Sequence, residues 1–369
     1  MNSEMKKIGI LTWLHNGNYG TILQAYALNI FLTSKGYDVT NINYNLSTNN
    51  KIINLLKQHN SFDLIKEKID ARKFYKKHSK ELFIKDSKFK EFLNCIKHTE
   101  LITSNKDLSK YSKLYDYYIC GSDQIWSPRL FNPSYYLNFV DQSKTKISYA
   151  CSFGSINTTK KKNKEIKKLL KDFKYISVRE EKGMKYLNSL GINSNIDVDP
   201  TLLVKSEDWK KLIKAESKKE EVFAYFLSYN KKYIDCVIRY CKTNNMKLNL
   251  ICNFNLNIEL DDNINIIYDA GPIDWLNYII SSKMVFTDSY HGMILSLVLN
   301  TNVRIFKRFI DGGKNDQNSR IYQILNVLDI NKILVENEIE EFDLDFDKIE
   351  YLISKYSENS KINLLNNLN

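Results

Sequence analysis

Proline and glycine are scarce, at 4 and 12 of 369 residues. So few turn-formers argue against a linker-rich or all-β chain. No stretch of roughly 20 apolar residues occurs, so no membrane span is expected. The apolar run Ile8 to Leu14 passes into a Gly/Asn turn with no cleavage-site pattern, and no signal peptide is read there. The cysteines, Cys95, Cys120, Cys151, Cys236, Cys241 and Cys252, form no C-x-x-C pair and have no histidine beside them. Metal-site spacing is therefore missing. Cys120 and Cys151 lie in apolar runs, where a free thiol behaves as a small buried hydrophobe. This usage fits a reducing compartment better than a disulfide framework, and a cytoplasmic protein is expected. Zinc-finger spacing, RNP-like aromatic motifs and Arg-rich recognition stretches are also missing, so nucleic acid is not an expected partner.

What is present points to a folded α/β chain. Hydrophobic residues make up 43% and aromatics 12%, ample for a buried core. The length suggests two domains. The net charge of +11 leaves two readings open: a basic surface for an anionic partner, or heavy lysine use throughout the chain.

Apolar periodicity supplies the fold class. Lys7 to Trp13 reads as a strand, His15 to Gly20 as a turn, Thr21 to Ser34 as a helix stopped by Gly36, and Tyr37 to Tyr44 as a strand. Such a βαβ unit implies a parallel sheet with helices on its faces. A basic helical insertion follows at about 51–97. Strands then recur at Asp116 to Cys120, Lys146 to Phe153, Tyr175 to Val178 and Ile196 to Val204, the last interrupted by Pro200. A second βαβαβ pattern runs from Val222 to Leu328, and the acidic stretch Glu336 to Asp347 reads as a surface loop. The expected domains are 1–204, 205–345 and a C-terminal helix at 346–369 that packs back on the first. Ligands of open α/β sheets bind outside the carboxyl ends of the strands, so two facing domains place a site in the cleft between them.

The residues just after each strand are the candidates. Thr287-Asp288-Ser289-Tyr290-His291-Gly292 joins an apolar strand to an apolar helix. Backbone N–H groups at a helix start favour anions, and His291 would stand in the first turn as an acid or base. A packed histidine is the bland alternative. His59, His78 and His98 lie in charged helical stretches and are expected to be solvated. Arg179, in Ser177-Val178-Arg179-Glu180-Glu181, could grip a carboxylate or phosphate bidentately, or simply pair with Glu180 or Glu181. Asn16, Gly17, Asn18 and Gly20 would let backbone approach a ligand, although spacing alone favours a plain βα turn. Ser122, Asp123 and Gln124 followed by Trp126 suit a sugar platform, or form a capped turn. Asp197-Val198-Asp199 resembles a metal-binding D-x-D, but Pro200 follows directly and a structural turn is favoured.

Taken in order, Gly17-Asn18-Tyr19-Gly20 with Leu23-Gln24-Ala25, Gly121-Ser122-Asp123-Gln124, Ser177-Val178-Arg179, Asp199-Pro200 and Asp288-Ser289-Tyr290-His291-Gly292 resemble the polysaccharide pyruvyl transferase family. The resemblance spans about Lys6 to Leu328, and Asn318-Ser319-Arg320-Ile321 resembles a segment of its capsule-cluster branch. It implies two Rossmann-like domains facing across a cleft, a GT-B-like α/β fold. It implies pyruvyl transfer from phosphoenolpyruvate to hydroxyls of a cell-surface polysaccharide or its precursor, with no further cofactor and no metal. By the resemblance His291 matches the family's catalytic histidine and Arg179 a donor-binding arginine. The chemistry of the donor would let Asp123 accept a hydroxyl proton as a second catalytic group. Ser289, Gly292 and Arg320 are expected beside Arg179 on the donor side, and Asn16, Asn18, Tyr19, Gln24, Ser122, Gln124 and Trp126 on the acceptor side or cleft loop. Many members carry arginine where this chain has Ser289, so Arg320, Lys307 or Arg308 would supply the charge, or the donor differs.

Two other readings share the pattern. A GT-B glycosyltransferase with a nucleotide-sugar donor would use the same cleft. A non-catalytic membrane-surface protein would use the lysine-rich run Lys160 to Lys174 as its contact with anionic lipid, and a solvated helix face is the bland alternative.

Overall fold

The structure is a computed structural model and describes residues 5–15, 17–46, 72–213, 218–252, 254, 256, 262–313, 316–336 and 338–369. Two parallel sheets of six strands each organise it. The first contains β1 (Lys7–Leu11), β2 (Asp38–Asn41), β3 (Tyr117–Cys120), β4 (Thr145–Cys151), β5 (Phe173–Val178) and β6 (Asn195–Ile196), in the order β2-β1-β3-β4-β5-β6. The second contains β7 (Lys219–Phe226), β8 (Lys247–Cys252), β9 (Ile264–Ile267), β10 (Ser282–Thr287), β11 (Asn302–Phe306) and β12 (Leu334–Val335), in the order β12-β11-β10-β7-β8-β9.

The strand sequences explain the layering. Leu248 to Cys252 and Met284 to Thr287 are buried at every position, as strands covered by helices on both faces must be. Pairing fixes the register, with Ile8 opposite Tyr117 and Val285 opposite Phe223. Strand order reverses between β1 and β3 in one sheet and between β7 and β10 in the other. Both switch points open a crevice at the carboxyl ends of the strands.

The longer helices among the described residues are α1 (Tyr19–Ser34), α2 (Ser79–Leu93), α3 (Lys160–Leu169), α4 (Glu181–Ser189), α5 (Lys231–Thr243), α6 (Pro272–Ser281), α7 (Tyr290–Val298), α8 (Ser319–Val327) and α9 (Phe346–Asn366). Helix α1 starts where the Asn18 side chain accepts from the Thr21 N–H at 3.3 Å. It is apolar almost all round and buried on nearly every face, as a helix wedged between two halves should be. One apolar cluster joins Ile8, Leu23 and Leu28 of the first half to Trp275, Met293 and Leu297 of the second. Across the seam the Tyr19 ring stacks on Trp275 at 5.4 Å, and its hydroxyl donates to the Ala270 carbonyl at 2.8 Å. Helix α9 ties back to the first sheet: the Val198 N–H donates to Ser360 Oγ at 3.0 Å, and Lys174 Nζ donates to the Asn367 carbonyl at 3.0 Å.

Several expectations change. Strands β9 and β12 escape the periodicity because they are short edge strands, β9 being only partly buried. The run from Ile196 to Val204 is a two-residue strand followed by a 3-10 turn that starts at Pro200. In the expected insertion, residues 51–71 lie outside the described residues, as does His59, and a helical stretch at 72–77 and α2 fill most of the remainder. His78 is buried rather than solvated, packed against Phe74 and Tyr268, because its helix covers the second domain. The acidic stretch has no regular structure over its described residues up to Asp345, and buried Arg304 donates to its Glu340 and Phe342 carbonyls.

Candidate active site

Loops from both sheets converge on Asp199. Strand β6 and the Pro200 turn hold this carboxylate fully buried. Its Oδ1 accepts from the Thr201 N–H at 3.0 Å and the Thr201 hydroxyl at 2.7 Å. Its Oδ2 faces Arg179 Nη1 at 2.5 Å and His291 Nε2 at 3.3 Å. Arg179 immediately follows β5, whereas His291 stands in the first turn of α7, so the two come from different sheets. Burial disfavours the Asp199 anion, but His291 and Arg179 outweigh burial and hold its carboxyl well below the usual carboxylate range. A carboxylate fixed on a ring nitrogen sets the tautomer and orientation of the imidazole.

The backbone gives His291 its place. Ser289 caps α7 by accepting from the Gly292 N–H at 3.2 Å. Asp288 reaches sideways and accepts from the Leu227 and Ser228 N–H groups at 2.7 and 3.2 Å. The imidazole then lies against Gly20 of α1, where a Cβ would fall 2.1 Å from His291 Nδ1. Gly20 thus makes room for a side chain of the other domain, which corrects the expectation that it lets backbone approach a ligand.

Arg179 is the hub of the charge network. Asp123 Oδ1 lies 3.7 Å from its Nη2, and Glu180 Oε2 lies 3.9 Å from its Nε. Burial works against the guanidinium charge, yet Asp199, Asp123 and Glu180 raise its pKa above the ordinary value. Glu180 itself is held by the Ser152 hydroxyl and the Phe153 N–H. Asp123 Oδ2 accepts from the Thr21 hydroxyl at 2.5 Å. Arg179 and Arg320 both lie against the Tyr290 ring, at 4.9 and 5.3 Å. Burial first, and then the neighbouring Arg179 charge, pull the Arg320 pKa down to about 10. Arg179 Nε and Nη2 and Arg320 Nε are buried donors with no hydrogen-bond partner. Unfilled buried donors are costly, and two adjacent guanidiniums repel, so the arrangement suits an anion that bridges them.

The sequence candidates separate into two groups. His291, Arg179, Asp123 and Arg320 come together. The others shape the site or the core. Asn18 caps α1. Gln24 is fully buried and binds Thr12 Oγ1, the Thr21 carbonyl and the Ser122 N–H. Ser122 donates to the Ala150 carbonyl, and Gln124 bridges to Gln317 of the other half at 2.8 Å. Gly292 fits closely on Thr287, where a Cβ would lie 2.8 Å from its hydroxyl. Trp126 offers no sugar platform: it is fully buried, stacked on Tyr136 at 5.1 Å, and donates to the Tyr135 carbonyl. Tyr19 is likewise committed to the domain seam. Asn16 lies outside the described residues. Asp199 was read as a turn residue and is instead the centre of the cluster. The D-x-D spacing was visible, but its two carboxylates diverge, Asp197 accepting from Tyr175 Oη at 2.8 Å. Thr21 and Tyr290 carried no signal of their own.

This fold and cleft define a two-domain α/β architecture of the GT-B type. Similar solved structures include a UDP-N-acetylglucosamine 2-epimerase from Rickettsia bellii, at 10% identity and TM-score 0.51, covering 99% of this chain and 96% of that one. An α-glucosyltransferase in complex with UDP and a 13-mer DNA aligns at 8% identity and TM-score 0.52, covering 97% of each chain. These likenesses concern the fold alone. No curated protein matches the sequence. The chain belongs to the polysaccharide pyruvyl transferase family, whose sequence pattern matches residues 18–308, a stretch that contains β3 to β11 and the catalytic candidates Asp123 and His291.

Proposed function

We propose that this transferase moves the pyruvyl group of phosphoenolpyruvate onto two hydroxyls of a cell-surface polysaccharide or its precursor, working at the cytoplasmic side without a further cofactor. The observation that carries this reading is the pair Arg179 and Arg320, both against Tyr290 and each with a buried donor unfilled, beside His291. A small donor bearing both a carboxylate and a phosphate meets that demand. Arg320 then supplies the guanidinium that many family members place at position 289.

The chemistry follows from the donor. His291, oriented by Asp199, delivers a proton to the methylene carbon, and positive charge develops at C2. One acceptor hydroxyl adds there, and a second displaces phosphate, closing the ketal. The carbon gains one proton and the departing phosphate takes up another, so the two hydroxyl protons are accounted for. Asp123, an acceptor for the Thr21 hydroxyl, receives a hydroxyl proton in this reading. Arg179 and Arg320 hold the phosphate as it leaves.

Mass spectrometry of glycan acceptors incubated with the protein and phosphoenolpyruvate tests the reaction, the expected product being a pyruvate ketal. His291→Ala should abolish that product while leaving the melting temperature within a few degrees of the parent. Thermal shift separates donors: phosphoenolpyruvate at about 100 times its Kd should stabilise by ~2.7 kcal/mol. A shift with nucleotide sugars alone, and no ketal, would refute the donor assignment.

A further inference from the structure

The lysines of this chain are not distributed evenly. Between Lys160 and Lys174 eight lysines stand against Glu165 and Asp172, a net of +6 out of the +11 of the whole chain. Some exposed lysines elsewhere pair with a neighbouring acid: Lys185 with Glu181 at 2.8 Å, Lys211 with Asp208 at 2.6 Å, Lys231 with Asp235 at 2.7 Å and Lys348 with Asp329 at 2.8 Å. On α3 no such pair forms. Lys160, Lys161, Lys164, Lys167 and Lys168 are exposed, and among the described residues none of them forms an ion pair. Five unpaired lysines against the single acid Glu165 leave this helix strongly cationic.

An apolar tip adjoins that face. Lys162 Nζ donates to the Pro128 carbonyl at 2.7 Å and lies over the Phe131 ring at 5.6 Å, which pins the segment 128–131 to α3. Leu130 projects from it, 60% exposed. The position in the fold is informative. The segment follows Gln124 and Trp126 just after β3, and α3 follows the loop after β4 whose Ser152 and Phe153 bind Glu180. The start of the basic helix and the Leu130 tip therefore lie at the same edge of the first sheet as Asp123 and Arg179.

We propose that α3 and the Leu130 tip form a docking face for an anionic phospholipid bilayer. Unpaired lysines near such a surface gain electrostatic attraction, and an exposed aliphatic side chain enters the headgroup boundary. A nucleic acid would use the cations but not Leu130, which gives a base no stacking surface. Docking in this way turns the cleft edge of the first sheet toward the membrane, so the acceptor class that fits is a glycan attached to a lipid carrier. That consequence rests on the transferase reading above. The docking itself does not depend on the donor.

Co-sedimentation of the full chain with vesicles tests it. Binding to phosphatidylcholine vesicles containing phosphatidylglycerol should exceed binding to phosphatidylcholine alone at least about tenfold and vanish in high salt. Replacing Lys160, Lys161, Lys164, Lys167 and Lys168 by Gln should weaken it by at least about a hundredfold, at about fivefold per lysine. Leu130→Ser should weaken it about threefold and keep the lipid preference. Both variants should retain the parent's circular dichroism and its pyruvyl transfer to a soluble acceptor. If that transfer is undetectable even in the parent while vesicle binding behaves as stated, the donor reading fails and the docking face stands. Equal binding to both vesicle types, no binding, binding unchanged by the five substitutions, or salt-sensitive retention on RNA or heparin without vesicle binding would each overturn the proposal.

Discussion

His291 Nε2 and Arg179 Nη1 lie 3.5 Å apart although they belong to different sheets. Both face the same oxygen of Asp199, a carboxylate with no solvent exposure. The closed cleft is thus held by charge at its centre and by the Tyr19–Trp275 stack at its seam.

Asp199 acts through His291 in this geometry, as a positioning residue. Asp199→Asn keeps the shape but removes the charge and one acceptor. Turnover should fall by about 10²–10⁴-fold with KM for the donor changed far less, and the acidic limb of the rate profile should move. Circular dichroism checks the fold. A variant with normal turnover would show that Asp199 serves only to neutralise Arg179.

Gly20→Ala tests the fit between the domains. Alanine suits a helix turn better than glycine, so α1 itself gains slightly. The new Cβ would nevertheless overlap the imidazole, with His291 Cγ at 2.3 Å and Cβ at 2.6 Å. His291 must shift or the domains must part. Activity should fall by about 10²-fold or more, since a displacement near 1 Å is enough for that, and the overlap should cost about 1–3 kcal/mol of stability without unfolding the chain. Steady-state kinetics beside a thermal melt distinguishes this from general unfolding.

Asp288 makes stability depend on pH. Burial pushes its carboxyl up to about 6, against the Leu227 and Ser228 N–H groups and Arg308, which favour the anion. An unfolded aspartate titrates near ~3.9, so between the two values the folded chain keeps a proton that the unfolded chain has lost. The contribution is therefore fully present below ~4 and is lost as the pH rises through about 6, a change on the order of 2–3 kcal/mol. Asp288→Asn should flatten that part of the curve. Urea unfolding midpoints of parent and variant across this range check it, and an unchanged slope would exclude Asp288 as its source.

Much of the architecture was legible along the chain because parallel strands buried on both faces leave dense apolar runs. Helix α1 ends at Ser34 and strand β3 at Cys120, the expected limits. Edge strands β9 and β12 were not legible, since one covered face leaves too short an apolar signal. In the site, His291 and Arg179 stood out as polar residues just after apolar strands. Trp126 misled, because a tryptophan after a polar turn reads the same whether its ring faces a cleft or a core. Gly20 misled for a related reason: a glycine shows that space is needed, but not what occupies it.

Local sequence determined the strands, the helices, their parallel order and the loops that carry chemistry, because each depends on the spacing of apolar residues and caps within a few turns of chain. Only the tertiary structure decided that Asp199 joins Arg179 to His291, that Arg320 reaches the same aromatic ring, and that Gly20 receives an imidazole. Those contacts link residues up to hundreds of positions apart, and their strength comes from burial, which removes the water that would otherwise screen every charge.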